Sequence, residues 1–109
     1  MELFKRWMEK VVDMGLHEKC AILPGVMPVR SEKVLLHMKK EVPGVRINDE
    51  YINRMKEARD QKEEGIKIAV EMIQTLRELK GVRGVHLMPV MWESVTPVII
   101  KEANLNALR

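Results

Sequence analysis

The side chains of this sequence that can do more than pack are few: three histidines, one cysteine, two tryptophans and nine methionines. A metal centre needs thiolate, imidazole or carboxylate groups at short, regular spacings, and His17 with Cys20 is the nearest approach to such a pattern. No His-Cys-Asp cluster with metal spacing surrounds that pair, so no metal site is expected. Cys20 adjoins the apolar run Ala21-Ile22-Leu23 and has no second cysteine to bond with, which predicts a small buried thiol in a reducing compartment. His86 lies in an apolar stretch and is expected to be a hydrogen-bonded structural histidine, whereas His17 and His37 stand among charges near helix ends, where solvated or capping roles are the default. No serine elbow, Cys-His arrangement or GxGxxG loop is present, and Pro24-Gly25, Gly81 and Gly84 belong to no phosphate-binding fingerprint.

What is left is chemistry of recognition. Methionine adapts to irregular surfaces and contacts aromatic rings favourably, so Met27, Met88 and Met91, all near predicted strand ends, suit the wall of a pocket for a flat ring system. Ordinary core filling accounts equally well for a methionine in a chain so rich in them. Trp92 also stands at a strand end, where a large aromatic either seals a core or offers a stacking face; we read it as pocket lining. On that reading Trp92→Ala should weaken ligand binding more than it lowers thermal stability.

These residues need elements to position them. Phe4, Trp7, Met8, Val11 and Val12 recur at helical spacing, with Lys5, Arg6, Glu9 and Lys10 on the other face, and Gly15 can close the helix in a left-handed conformation. The stretch Cys20 to Pro28 is apolar on both alternating faces, which predicts a strand covered on both sides, as in a parallel sheet. Ser31 is placed to cap a helix carrying Val34, Leu35 and Met38, which Pro43-Gly44 stops. Asn48 or Asp49 can cap a short helix through Tyr51, Ile52, Met55 and Ala58. Asp60 then opens the longest helix, with Ile66, Ala69, Val70, Ile73 and Leu76 on one stripe, Ile68, Met72 and Leu79 widening it, and Gly81 ending it. A second strand runs from Val85 towards Trp92, and a last helix holds Val95, Val98, Ile99 and Ala103 with Pro97 early, where a missing donor does least harm.

At 109 residues the chain allows one domain, residues 1–109, and excludes a complete (β/α)8 barrel, which needs about 250 residues. With 46% hydrophobic and 32% charged residues it falls in the soluble globular class. The net charge of +3 is spread over interleaved signs, as in Lys62-Glu63-Glu64, with no basic stripe to follow a phosphate backbone, so nucleic-acid binding is not expected. Charges within the N-terminal apolar pattern exclude a signal core or a membrane span, and a cytoplasmic location is expected. Two strands joined by helices predict an α/β fold with a parallel crossover. A parallel ribbon of two strands leaves both outer edges unpaired, which points to a part of a larger sheet, to a partner chain that completes it, or to self-association.

Two stretches carry a family resemblance: Ile22-Leu-Pro-Gly-Val-Met-Pro-Val29 and Gly81-Val-Arg-Gly-Val-His-Leu-Met-Pro-Val-Met-Trp-Glu93. Both resemble the closing strands of methylenetetrahydrofolate reductases, and the connecting segments Val42 to Met55 and Asp60 to Ala69 fit the same family in order and spacing. The resemblance implies a partial (β/α)8 TIM barrel, its last two βα units with an extra helix between the strands, the opening helix being the one before the seventh strand. It also implies a flavin, FAD or FMN, that delivers hydride in the complete enzyme to 5,10-methylenetetrahydrofolate, giving 5-methyltetrahydrofolate.

By the same resemblance Met27, Glu32, Val90, Met91 and Trp92 line the folate and flavin pocket. Trp92 stands where the well-studied bacterial branch has an arginine, and Glu32 where that branch has an aromatic residue for stacking. The Trp-Glu pair is more similar to the branch of acetogenic and other anaerobic organisms, in which a metal-containing partner subunit can serve the flavoprotein. The family's proton-transfer residues and most flavin contacts lie on earlier strands, so no catalytic residue falls in this chain, and neither activity nor flavin retention is expected of it alone. An alternative is a non-catalytic interaction module that completes a barrel or sheet with another chain.

Overall fold

In the computed structural model, described over residues 2–41, 47, 49–89 and 92–105, helices dominate. The first, α1 (Glu2–Asp13), buries Met8 and Val11 and ends at Gly15, whose φ of 72° is the left-handed conformation that glycine adopts without steric cost. Trp7 departs from the expected stripe: it is 50% exposed, and Phe4, tilted against it with ring centroids 5.7 Å apart, packs on the core in its place. A short helix that the apolar pattern does not announce, α2 (Leu16–Lys19), follows at once. It carries Cys20 at its C-terminal cap, with Sγ 3.5 Å from the Leu16 carbonyl oxygen, so the thiol is exposed rather than buried.

The strands are β1 (Gly25–Val26) and β2 (His86–Leu87), paired in parallel with Gly25 opposite His86 and Val26 opposite Leu87; Ile22 and Val82 form a further parallel bridge. The N–H groups of Arg83, His86 and Met88 donate to the carbonyls of Ile22, Pro24 and Val26. Between the strands lie α3 (Glu32–Glu41), α4 (Asp49–Glu57) and α5 (Gln61–Glu78). These are the three helices that the caps at Ser31, Asp49 and Asp60 predict, one more than the crossover and single extra helix that the resemblance implies. After β2 a 3-10 turn (Glu93–Val95) leads into α6 (Thr96–Glu102), with Pro97 in its first turn.

The starts and ends of these helices follow local chemistry. Ser31 Oγ accepts the Val34 N–H at 3.3 Å at the head of α3, and the Asp60 carboxylate accepts from the N–H groups of Lys62 and Glu63 at the head of α5. Asp49 is the first residue of α4; the expected stop at Pro43-Gly44 and the alternative cap Asn48 lie outside the described residues. At the far end of α6, Arg77 on α5 donates to the carbonyl of Ala103 at 2.8 Å, satisfying an oxygen that the helix itself leaves open.

Packing divides into a main core and a smaller one. The main core joins Met8 and Val11 of α1, Val26 of β1, Ala69, Ile73 and Leu76 of α5, and Ile99 of α6 with Ala103 just beyond it. The second core holds Leu35 of α3 against Ile52 and Met55 of α4, under Ile68 of α5. Complete burial of a side chain such as Ile73 contributes on the order of 1.5–3 kcal/mol through apolar transfer. Arg54 ties α4 to α5 by bonding Glu64 at 2.7 Å and also Glu71, and Lys39 reaches from α3 to Asp49 at 2.8 Å.

The sheet is covered on one face only, which corrects the expectation of cover on both. Val26 is buried in the main core, with Val85 and Leu87 packed against it. The alternating residues turn the other way. Leu23 is 53% exposed, Met88 36%, and His86 is exposed too, so His86 is held to the ladder by its backbone and not by a buried imidazole.

Candidate functional site at the strand ends

Both strands run toward the same end of the ribbon, since they are parallel. There β1 continues into Met27-Pro28-Val29 and β2 into Met88 and Pro89. Met27 and Met88 each follow the paired residues Val26 and Leu87, so the ladder brings them level. The Met88 side chain crosses to Gly25: a Cβ added at Gly25 would meet Met88 Cε at 2.5 Å. The open face thus carries the exposed Leu23, His86 and Met88, with Met27 partly buried at its end.

Beside β1 lies a cleft of about 850 Å³, lined by Met27 of the strand end, Phe4 of α1, Leu35 of α3, Tyr51 of α4 and Met72 of α5. Ile22, Pro24 and Val26 give their carbonyls to β2, so Leu23, Gly25 and Met27 direct their backbone groups to the opposite side.

Glu32 stands one loop further on, as the first residue of α3. Its backbone N–H donates to Gln61 Oε1 at 3.0 Å, so α5 holds the point where the loop becomes helix. Gly65, one turn along from Gln61, receives the same loop: a Cβ there would lie 1.9 Å from the Val29 carbonyl oxygen. Neither residue is marked by the apolar stripe. The one sequence signal is a glycine inside a helix, which costs roughly 0.5–1 kcal/mol relative to alanine and so asks for a packing reason.

Trp92 is half-buried and packs against the main core; its N–H donates to the Pro89 carbonyl at 3.0 Å, and its own carbonyl accepts from Val95 at 3.1 Å. Val90 and Met91 lie outside the described residues. The structure therefore brings Met27 level with Met88, sets Glu32 at the neighbouring loop's end, and seats Trp92 where the second strand turns toward α6. No group of three or more His, Cys, Asp or Glu residues able to hold a metal ion occurs among the described residues. His17 is half-buried beside Gly81, with Nδ1 buried and lacking a hydrogen-bond partner, while the Cys20 thiol is bonded to a backbone carbonyl instead.

The electrostatics lie away from this face. Arg54 is held above its ordinary pKa, chiefly by its hydrogen bond to Glu71 and further by Glu64, against the opposing effect of partial burial. The hydrogen bond and charge of Lys39 keep Asp49 below the ordinary carboxylate value. No described helix is long and apolar enough to cross a membrane.

Tested against a flavin, the open face fits one side of a flat ring and not the cofactor's phosphate end. Leu23 and Met88 offer apolar contact with His86 exposed beside them, and neither thioether nor alkyl groups donate a hydrogen bond to a phosphate.

The features on this face define a class: an α/β protein whose two described strands are parallel and joined through helices, with one sheet face packed and the other open. Residues 1–104 match the model of the methylenetetrahydrofolate reductase family, and the chain belongs to that family. No curated protein matches it. The family is one of reductases in one-carbon metabolism, generally binds FAD and folds as a TIM barrel; two parallel strands with their helices are consistent with part of such a barrel.

Proposed function

We propose that this chain forms the closing wall of a methylenetetrahydrofolate reductase barrel, its last two βα units, and works only with the remaining strands in place. The observation that carries this reading is the one-sided sheet: α1, α5 and α6 cover Val26 and Leu87, while Leu23 and Met88 face outward, and among the described residues the far edge of β1 has no strand beside it. Further strands would complete the ladder and convert the apolar face into the lining of a barrel. In the complete enzyme a bound reduced flavin, FAD or FMN, supplies hydride to the methylene carbon of 5,10-methylenetetrahydrofolate.

The residues of this chain bind and exclude. Met27, Val90 and Met91 supply apolar wall at the strand ends and keep water from the reacting face. Trp92 offers an aromatic edge or face to the ring systems. Glu32 offers a carboxylate that accepts hydrogen bonds from N–H groups of the substrate. The Trp-Glu pair supports the anaerobic branch, with a metal-containing partner subunit as a source of electrons. The protein works in the cytoplasm on this reading.

The experiment is a reductase assay with reduced flavin on the isolated chain and on the chain joined to the missing strands. Turnover and flavin retention are expected only in the second. Stoichiometric yellow flavin or turnover with the isolated chain overturns the proposal. The unpaired edge of β1 also favours a second reading, a non-catalytic module that docks on another chain; a complete assembly that binds no folate would support it.

A further inference from the structure

We infer that Gln61 and Gly65 of α5 are positioning residues for Glu32, fixing the loop that joins β1 to α3 so that the Glu32 carboxylate meets folate at a set height above the strand ends. The inference rests on the reading of Glu32 as a pocket residue.

Three contacts converge on this loop. Gln61 Oε1 accepts the Glu32 N–H at 3.0 Å. At Gly65 the helix surface has no side chain, and the Val29 carbonyl occupies the space: its oxygen and carbon would lie 1.9 and 3.0 Å from an added Cβ. Ser31 Oγ accepts the Val34 N–H at 3.3 Å, fixing the first turn of α3 from within. Gln61 and Gly65 are four residues apart on α5 and so share a face, and both meet the segment from Val29 to Glu32.

This arrangement separates position from chemistry. Glu32 carries the carboxylate, but α5, which packs through Ala69, Ile73 and Leu76 on the main core, determines where the Glu32 backbone stands. Gln61 is chemically replaceable in one direction only. A glutamate keeps an oxygen acceptor for the N–H and suits the first turn of a helix, whereas leucine fills similar space and accepts nothing.

The test uses the complete reductase with Q61L, Q61E, G65A and E32Q. It measures the dissociation constant of 5-methyltetrahydrofolate, KM and kcat for the methylene substrate, flavin content, and amide hydrogen exchange at Glu32. Q61L is expected to speed exchange at Glu32 and to raise the dissociation constant and KM roughly fivefold, the scale of one lost hydrogen bond, with kcat and flavin content nearly unchanged. Q61E should behave as the parent does. G65A should match or exceed Q61L if it folds, and Q61L alone suffices if it does not. Should E32Q weaken folate binding while Q61L leaves it unchanged, the positioning role is overturned and the pocket reading stands. Unchanged binding in E32Q overturns both. A Q61L protein that melts earlier with parental folate affinity reduces Gln61 to a structural residue and overturns the inference as well.

Discussion

Trp92 and the two glycines that face strand ends show how differently single residues at this end of the molecule are placed. Trp92 meets the main core from the loop that follows β2, so its ring contributes to packing whether or not it also touches a ligand. In the complete enzyme Trp92→Ala should therefore lower the melting temperature, and the pocket role requires in addition a weakened folate affinity that exceeds the stability loss in free energy. Calorimetry beside a folate titration separates the two; a stability loss with intact affinity marks Trp92 as core alone. Gly25 and Gly65 make a sharper contrast. The atom that an alanine at Gly25 meets is the mobile end of Met88, whereas at Gly65 it is backbone. Gly25→Ala should accordingly change stability little, while Gly65→Ala should cost about 1–3 kcal/mol through overpacking, as read from chemical unfolding of the complete protein.

Among the elements, α3 and α4 build the smaller core with Ile68 of α5, and polar ties join them to each other and to α5. Arg54 sets one guanidinium against two carboxylates of α5, Glu64 and Glu71, with Glu64 largely screened from water. Arg54→Ala should destabilise by about 1–2 kcal/mol, and Arg54→Lys should not restore the loss, because an ammonium is a point charge and cannot span both partners as a planar fork does. The link between α3 and α4 responds to acid instead. Asp49 has its pKa lowered in the folded chain by Lys39, so the stability it lends is present above the ordinary aspartate value of 3.8 and is lost as pH falls from there through the lower folded value. Asp49→Asn should therefore remove a small component of acid sensitivity below about pH 4 and leave stability near neutrality slightly reduced, which parallel melts across that pH range will check.

At the scale of the whole molecule, the sheet has two strands among the described residues, with an uncovered apolar face and no described strand beside the far edge of β1. Strand edges and apolar faces of this kind are satisfied by further strands, and in their absence by other copies of the chain. The isolated chain should associate in solution, with a mass by light scattering above that of a monomer and rising with concentration. A monomer that melts cooperatively would show instead that the helices alone stabilise the unit, and would remove the main support for a shared barrel.

Much of the frame was legible before any coordinates. Apolar spacing located α1, α3, α5 and α6, and Ser31, Asp60, Gly15 and Pro97 mark their ends, because a cap acts on backbone groups within a few residues of itself. Spacing could not show that the strands are only two residues long, that Cys20 and His86 are exposed, or that Trp7 faces outward, since each depends on which distant surface covers it. The same holds for Gln61 against Glu32 and for Arg54 between its carboxylates, pairs separated by whole elements. The sequence by itself determined the order and kind of the elements apart from α2 and the 3-10 turn and, through Ile22 to Val29 and Gly81 to Glu93, the family. Only the tertiary structure decided which face of the sheet is buried and which stays open, because alternation along a strand defines two faces and says nothing of what packs on either.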